Sequence, residues 1–290
     1  MRNDRRTEGF LLAIVAAVLW GLGPTATKLS LAGYAPEVVG IVRLGTAAAF
    51  FRVLGGPGTA WLPRGRWGAL AGIGLGVDFV LYNYGIQQTA AGAAGVLLNF
   101  GSVTTPLLAR LLLGERLSGR RLAGCLLTLV GVLWVASEGV DGRDLFGSER
   151  VTGNVLVLAA AACWSLYAVA QQRARTADAS GPQLMAPIFT LGTACTLLVL
   201  PGMEPPALTG GTGPTVALLV LALVCTAAVY VVYTRSQECL PLSVLSAVHA
   251  TVPLFSITLA WLVLGEPMTS RLATGALMVV IGIVVAARDG

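Results

Sequence analysis

Apolar stretches recur along the whole chain, parted by short clusters of glycine, proline and charge. Most are as long as the ~20 residues a helix needs to cross a bilayer. The pattern predicts ten helices, over 9–30, 36–54, 67–86, 91–113, 119–137, 152–172, 182–201, 214–235, 241–264 and 271–287. The connections are too short to fold into soluble domains, and the alternating ~10-residue segments of a membrane barrel are missing. The first apolar run is longer than a signal-peptide core and is not followed by a small-x-small cleavage site, so it reads as a retained span.

Composition sharpens this. Of 290 residues, 56% are hydrophobic and 11% charged, against about 25% charged in a soluble domain. The chain therefore reads as an all-α integral membrane protein. The net charge of +5 reports orientation rather than nucleic-acid binding, because Lys and Arg collect in cytoplasmic loops. With the N-terminus inside, the inner side holds Arg2, Arg5, Arg6, Arg52, Arg64, Arg66, Arg110, Arg116, Arg120, Arg121, Arg173, Arg175, Arg235 and Arg288; the outer side holds only Lys28, Arg143, Arg150 and Arg271. Both termini are expected in the cytoplasm and the loop from Ser137 to Arg150 outside.

Two stretches repeat. LLLGERLSGRR (Leu111 to Arg121) returns imperfectly as LVLGEPMTSR (Leu262 to Arg271), a little over half the chain later. Aligning the two marks brings Tyr82 onto Tyr233; further upstream AAVLWGLG meets AAACWSLY, which pairs Trp20 with Trp164. The expectation is two five-helix halves, 1–140 and 141–290, within one membrane domain. Five is odd, so the second half must enter the bilayer upside down, and the loss of arginines from the second mark agrees. Inverted repeats of this kind recur in secondary transporters, with a midplane site between the halves.

The order of WGLGPTATK (Trp20 to Lys28), Arg43 in the second span, the LLLGE and LVLGE marks and Pro253 before Glu266 resembles the EamA-type exporters of the drug/metabolite transporter superfamily, most closely the YddG-type amino-acid exporters. The first half departs from that pattern, with Ser102 where a proline would stand and Pro106 one turn later. The resemblance implies export of amino acids or related small metabolites across the inner membrane of a bacterium. Cationic or aromatic drugs are the alternative cargo.

Polar residues within spans are costly and usually face a cavity or one another. Asp78 and Tyr82 share a helical face, with Asn83 beside them; Asp78 is either a cavity acid or a hydrogen-bonded structural one. His249, the only histidine, lies on a stripe with Ser243, Ser246 and Ser256, and Pro253 would free a carbonyl within it. Asn99, Ser102 and Pro106 make a comparable feature in the fourth span. Trp20 and Trp164 lie deep in their spans, and Trp164 shares a face with Tyr167, as Tyr230 does with Tyr233. These rings are either core packing or the wall of an aromatic cavity. The expected substrate-binding set is Trp20, Asp78, Tyr82, Asn83, Asn99, Trp164, Tyr167, Tyr233 and His249. Lys28 and Arg43 are expected to snorkel outward, and Glu115 and Glu266 to cap helix ends as structural or gate elements.

No phosphate loop of the G-x-x-x-x-G-K-[ST] form occurs, and five scattered cysteines with one histidine suggest neither a metal site nor a catalytic set. No cofactor is expected. An intramembrane enzyme and a channel are the weaker alternatives, the channel lacking a ring of repeated filter residues. A small-molecule substrate and the lipid bilayer are the expected partners, nucleic acid is not, and a monomer is the expected state.

Overall fold

The computed structural model describes residues 2–114, 117–138, 149–175, 181–198, 210–240, 245 and 248–287. Helices dominate, as the long apolar runs require: α1 (Arg2–Leu31), α2 (Pro36–Gly55), α3 (Gly65–Gln88), α4 (Ala91–Leu97), α5 (Gly101–Leu113), α6 (Gly119–Ala136), α7 (Glu149–Ala174), α8 (Pro182–Leu197), α9 (Thr212–Leu219), α10 (Val229–Cys239), α11 (Val252–Leu264) and α12 (Ser270–Ala287). No strand occurs among the described residues. Among the described residues, eight helical stretches are long and apolar enough to cross a membrane, and α11 is a shorter apolar helix. Large apolar side chains such as Val53, Leu111 and Trp261 lie exposed on the outside of the bundle, as expected where the surrounding solvent is lipid.

The structure adds detail to several sequence expectations. The span over 91–113 is one apolar helical stretch, Ala91–Leu113, in which a 3₁₀ turn, Leu98–Phe100, separates α4 from α5. The span over 214–235 contains a π-helical segment, Val220–Ala228, between α9 and α10. Periodicity cannot reveal either, since both keep an apolar face while changing the turn. α11 starts only at Val252, with Pro253 in its first turn, where a missing N–H costs nothing. Residues 248 and 249 are also helical and 250–251 form a turn, so Pro253 stands where the helical path resumes after an interruption. Ser243, Ser246 and Glu115 fall outside the described residues. Pro106 does sit inside α5, and the Ser102 carbonyl one turn back accepts from the Cys125 Sγ at 3.7 Å.

Both LGE marks have a local reason for their glycine. Gly114 and Gly265 close α5 and α11 in the left-handed conformation, with φ of 72° and 68°, which a side chain would strain. Close approach explains another set. α6 crosses α12 so tightly that a Cβ on Gly124 would lie 2.5 Å from the Gly282 carbonyl oxygen, and one on Gly131 would lie 2.7 Å from that of Gly275. Small residues let membrane helices meet backbone to backbone.

The interior divides into packed regions. One gathers Ala16, Leu44, Phe51, Leu75, Phe79, Tyr167, Phe189 and Tyr230 from α1, α2, α3, α7, α8 and α10. A second, centred on α4, joins Tyr82, Ile86, Val96, Val132, Val157, Ile257 and Val279. A third packs Val39 of α2 against Leu218, Leu221 and Cys225.

Candidate functional site

The first packed region places a continuous set of rings at the centre of the bundle. Trp20 from α1 meets Tyr230 edge-on at 6.1 Å and Tyr233 at 5.0 Å, both from α10. Trp164 from α7 lies 5.0 Å from Tyr167 and 6.5 Å from Tyr230. His249, just ahead of α11, lies 5.1 Å from Trp20 and 5.0 Å from Tyr233. Tyr230 is the hub, also touching Phe51 at 6.3 Å and Phe189 at 5.5 Å. Four of these pairs are edge-on, a favoured aromatic geometry, and the others are tilted. Tyr167 and Tyr230 are buried, while Trp20, Trp164, Tyr233 and His249 are only half-buried. The Nε2 of His249 is itself buried without a hydrogen-bond partner among the described residues.

Of the expected site residues, Trp20, Trp164, Tyr167, Tyr233 and His249 come together in this way. Asp78 is buried in α3 within electrostatic reach of Arg43, Tyr167 and Tyr230. Tyr82 packs in the α4 region and is also within electrostatic reach of Arg43 and Asp78. Asn83 is fully buried and donates to the Pro36 carbonyl at 3.0 Å, pinning α3 to the start of α2. Asn99, in the 3₁₀ turn, donates back to the Gly95 carbonyl of α4 at 2.9 Å.

Two residues expected to snorkel do not. Arg43 is buried; its guanidinium lies 4.4 Å over the Phe79 ring and its Nε donates to Thr226 Oγ1 at 3.2 Å. Thr226 belongs to the π segment and donates in turn to the Leu221 carbonyl at 2.8 Å. Lys28 turns to the end of α3, where its Nζ donates to the carbonyls of Ile86, at 3.1 Å, and Thr89. In both cases backbone and side-chain acceptors inside the bundle outbid the interface. Arg43, Phe79, Tyr230 and Thr226 are the interior residues that sequence reasoning left out of the site; a lone arginine in an apolar span was the available signal.

Glu266 has a clear task. Its two carboxylate oxygens accept from the backbone N–H groups of Ala91 and Gly92, at 2.8 and 2.9 Å, at the start of α4. An anion there satisfies two otherwise unpaired amides and the helix dipole together. Lys28 at the end of α3 and Glu266 at the start of α4 thus grip one turn from both sides. Beside it Thr89 donates to Asn154 of α7 at 2.6 Å.

A lipid-facing helical bundle whose spans converge on buried aromatic and charged side chains is a multi-pass membrane protein with a polar interior. Two segments, residues 7–137 and 151–288, match the EamA-like transporter family. The chain belongs to that family. Among curated relatives, a probable terminal-alkyne amino-acid exporter of Streptantibioticus cattleyicolor is 28% identical over 91% of this chain and 88% of its own length. An uncharacterised protein of Pseudomonas aeruginosa is 31% identical over 97% of this chain and 94% of its own. A probable amino-acid metabolite efflux pump of Escherichia coli is 26% identical, covering 96% and 94%. A solved crystal structure at 23% identity shares the fold with a TM-score of 0.68, covering 97% of each chain.

Proposed function

We propose that the protein is a secondary transporter that exports amino acids with aromatic or bulky apolar side chains, or closely related metabolites, by alternating access around the central rings. The observation that carries this is the convergence of Trp20, Tyr230, Tyr233, Trp164 and Tyr167 from α1, α7 and α10, with half-buried faces beside buried charge. A mostly apolar wall with a few oriented polar groups is what a small-molecule site requires. The two relatives named for amino-acid export support the cargo class.

The architecture proposed with it is ten spans in two inverted five-helix halves, with both termini cytoplasmic. The two family matches, one on each half, support the repeat. So does the glycine seam. Aligning the LGE marks makes Gly124 the counterpart of Gly275, and Gly131 that of Gly282. The contacts run Gly124 to Gly282 and Gly131 to Gly275, the crossed pairing that a two-fold axis between the halves demands. An axis in the membrane plane brings midplane residues of both halves to one centre.

The test is counterflow of radiolabelled phenylalanine, leucine and alanine into proteoliposomes of the purified protein. Saturable flux favouring the bulky substrates supports the reading; ohmic current without saturation points to a channel and ends it. Export of cationic aromatic drugs is the second reading, favoured by the same rings beside Asp78. It predicts that a lipophilic cation outcompetes phenylalanine.

A further inference from the structure

Arg43 is 8% exposed, lies inside the bundle, and is bonded to no carboxylate among the described residues. A guanidinium carries five N–H donors. Here the Nε is bonded to Thr226 and the plane is covered by Phe79, but Nη1 is buried with no partner among the described residues. Burying a cation in this way is costly unless it is paired. The obvious partner, Asp78 on the neighbouring helix, is also buried, at 5% exposure, and acts on Arg43 electrostatically. Yet the two form no direct ion pair among the described residues. Tyr230, the hub of the aromatic set, is within electrostatic reach of both.

A structural role accounts for part of this: the Thr226 bond ties α2 to the π segment, and the ring contact offsets some desolvation. It leaves unexplained why the guanidinium keeps a buried N–H without a partner while it lies over Phe79, the residue next to buried Asp78 and packed in one region with Tyr230. A ligand bearing both charges would resolve it.

We propose that Arg43 and Asp78 are the two poles of a zwitterion-recognition site: Arg43 takes the α-carboxylate of an amino acid, Asp78 takes its α-ammonium, and the side chain lies among Trp20, Trp164 and Tyr230. This rests on the amino-acid reading given above. A guanidinium suits the first task because its planar fork matches a carboxylate. Asp78 suits the second because an ammonium beside a buried carboxyl favours its ionised form, which accepts only, as the ammonium donates only. Thr226, by holding the Nε, fixes the direction of the fork, and the π segment that carries Thr226 is the kind of irregular turn that collects at functional sites.

The experiment is equilibrium binding of radiolabelled phenylalanine to the purified protein in detergent. The competitors are phenethylamine, which lacks the carboxylate, and 3-phenylpropionate, which lacks the ammonium. Both analogues should compete at least about tenfold more weakly than phenylalanine, the scale of one lost charge-assisted hydrogen bond. Arg43→Gln should weaken phenylalanine to the level of phenethylamine and leave phenethylamine unchanged, with Arg43→Lys recovering part of the loss. Asp78→Asn should do the same with respect to 3-phenylpropionate. Phenethylamine competing as well as phenylalanine against the wild type overturns the anchor while leaving transport of bulky apolar cargo standing. Equal loss of all three ligands in Arg43→Gln also overturns it, because that is what a structural role gives. A wild type that binds none of the three overturns the amino-acid reading and the anchor together. If Arg43→Gln does not fold, the wild-type competition series decides alone.

Discussion

Trp164 separates two uses of an aromatic ring. Deleting a fully packed tryptophan or phenylalanine from a core costs about 3–5 kcal/mol. Trp164 is only half-buried and meets Tyr167 and Tyr230 at tilted angles of 52° and 45°. Trp164→Ala should therefore slow transport of bulky amino acids several-fold more than that of alanine, while the thermal midpoint moves only slightly. Normal transport with a much earlier melt would make the ring core packing and remove the aromatic wall. Glu266 calls for the opposite result. Its carboxylate binds two backbone amides at the head of α4, and losing a helix cap costs about 0.5–2 kcal/mol. Glu266→Ala should lower the melting midpoint by several degrees, and Glu266→Gln, which keeps one acceptor oxygen, by less. A melting curve of the purified protein checks both, and an unchanged midpoint in Glu266→Ala would deny the cap any weight. Residues of this kind differ in how visible they are in the sequence. The rings and Glu266 stand out as polar or bulky groups at repeated places. Arg43 is visible too, but its direction is not, because an arginine near a helix end reaches outward or inward according to acceptors that only the fold supplies, here Thr226 and the face of Phe79.

At the scale of helices, the apolar runs located nearly every element, since a backbone in lipid must satisfy its own hydrogen bonds and has few choices besides helix. What they hid was the change of winding. Val220–Ala228 is apolar throughout, so hydropathy carries no trace of its wider turns, and the tighter turn at Leu98–Phe100 is marked only by Asn99. Those turns matter to the site. Before the wide turn is complete, Leu221 and Cys225 face Val39 of α2; after it, Val229 and Tyr230 face the ring set. The seam between α6 and α12 is more legible, because glycines spaced along an apolar helix mark close contact. With Gly275 opposite it at 2.7 Å from a notional Cβ, Gly131→Leu should force the helices apart. The expected outcome is loss of monodisperse protein on size-exclusion chromatography, or a melting midpoint lowered by far more than in Gly119→Leu, where a Cβ would meet nothing within 4 Å.

For the whole molecule, orientation is the proposal most open to a direct check. Arginine bias puts residues 139–148 outside and Arg64 inside. A single cysteine placed at 143 in a background without native cysteines should react with a membrane-impermeant thiol reagent in intact cells, and one at 64 should not. The reverse pattern would turn the protein over, and labelling at both would break the inverted arrangement. The contacts across the middle of the chain carry one more implication. Glu266 starts a helix that lies far earlier in the sequence, α6 needs α12 to fill its glycine groove, and α3 lies against α7, where a Cβ on Gly85 would come within 2.9 Å of the Gly153 carbonyl oxygen. The segments before 138 and after 149 therefore each leave surfaces that the other fills. A gene severed between them and expressed as two fragments should yield a complex that co-purifies through a tag on one piece, whereas either fragment made alone should be degraded.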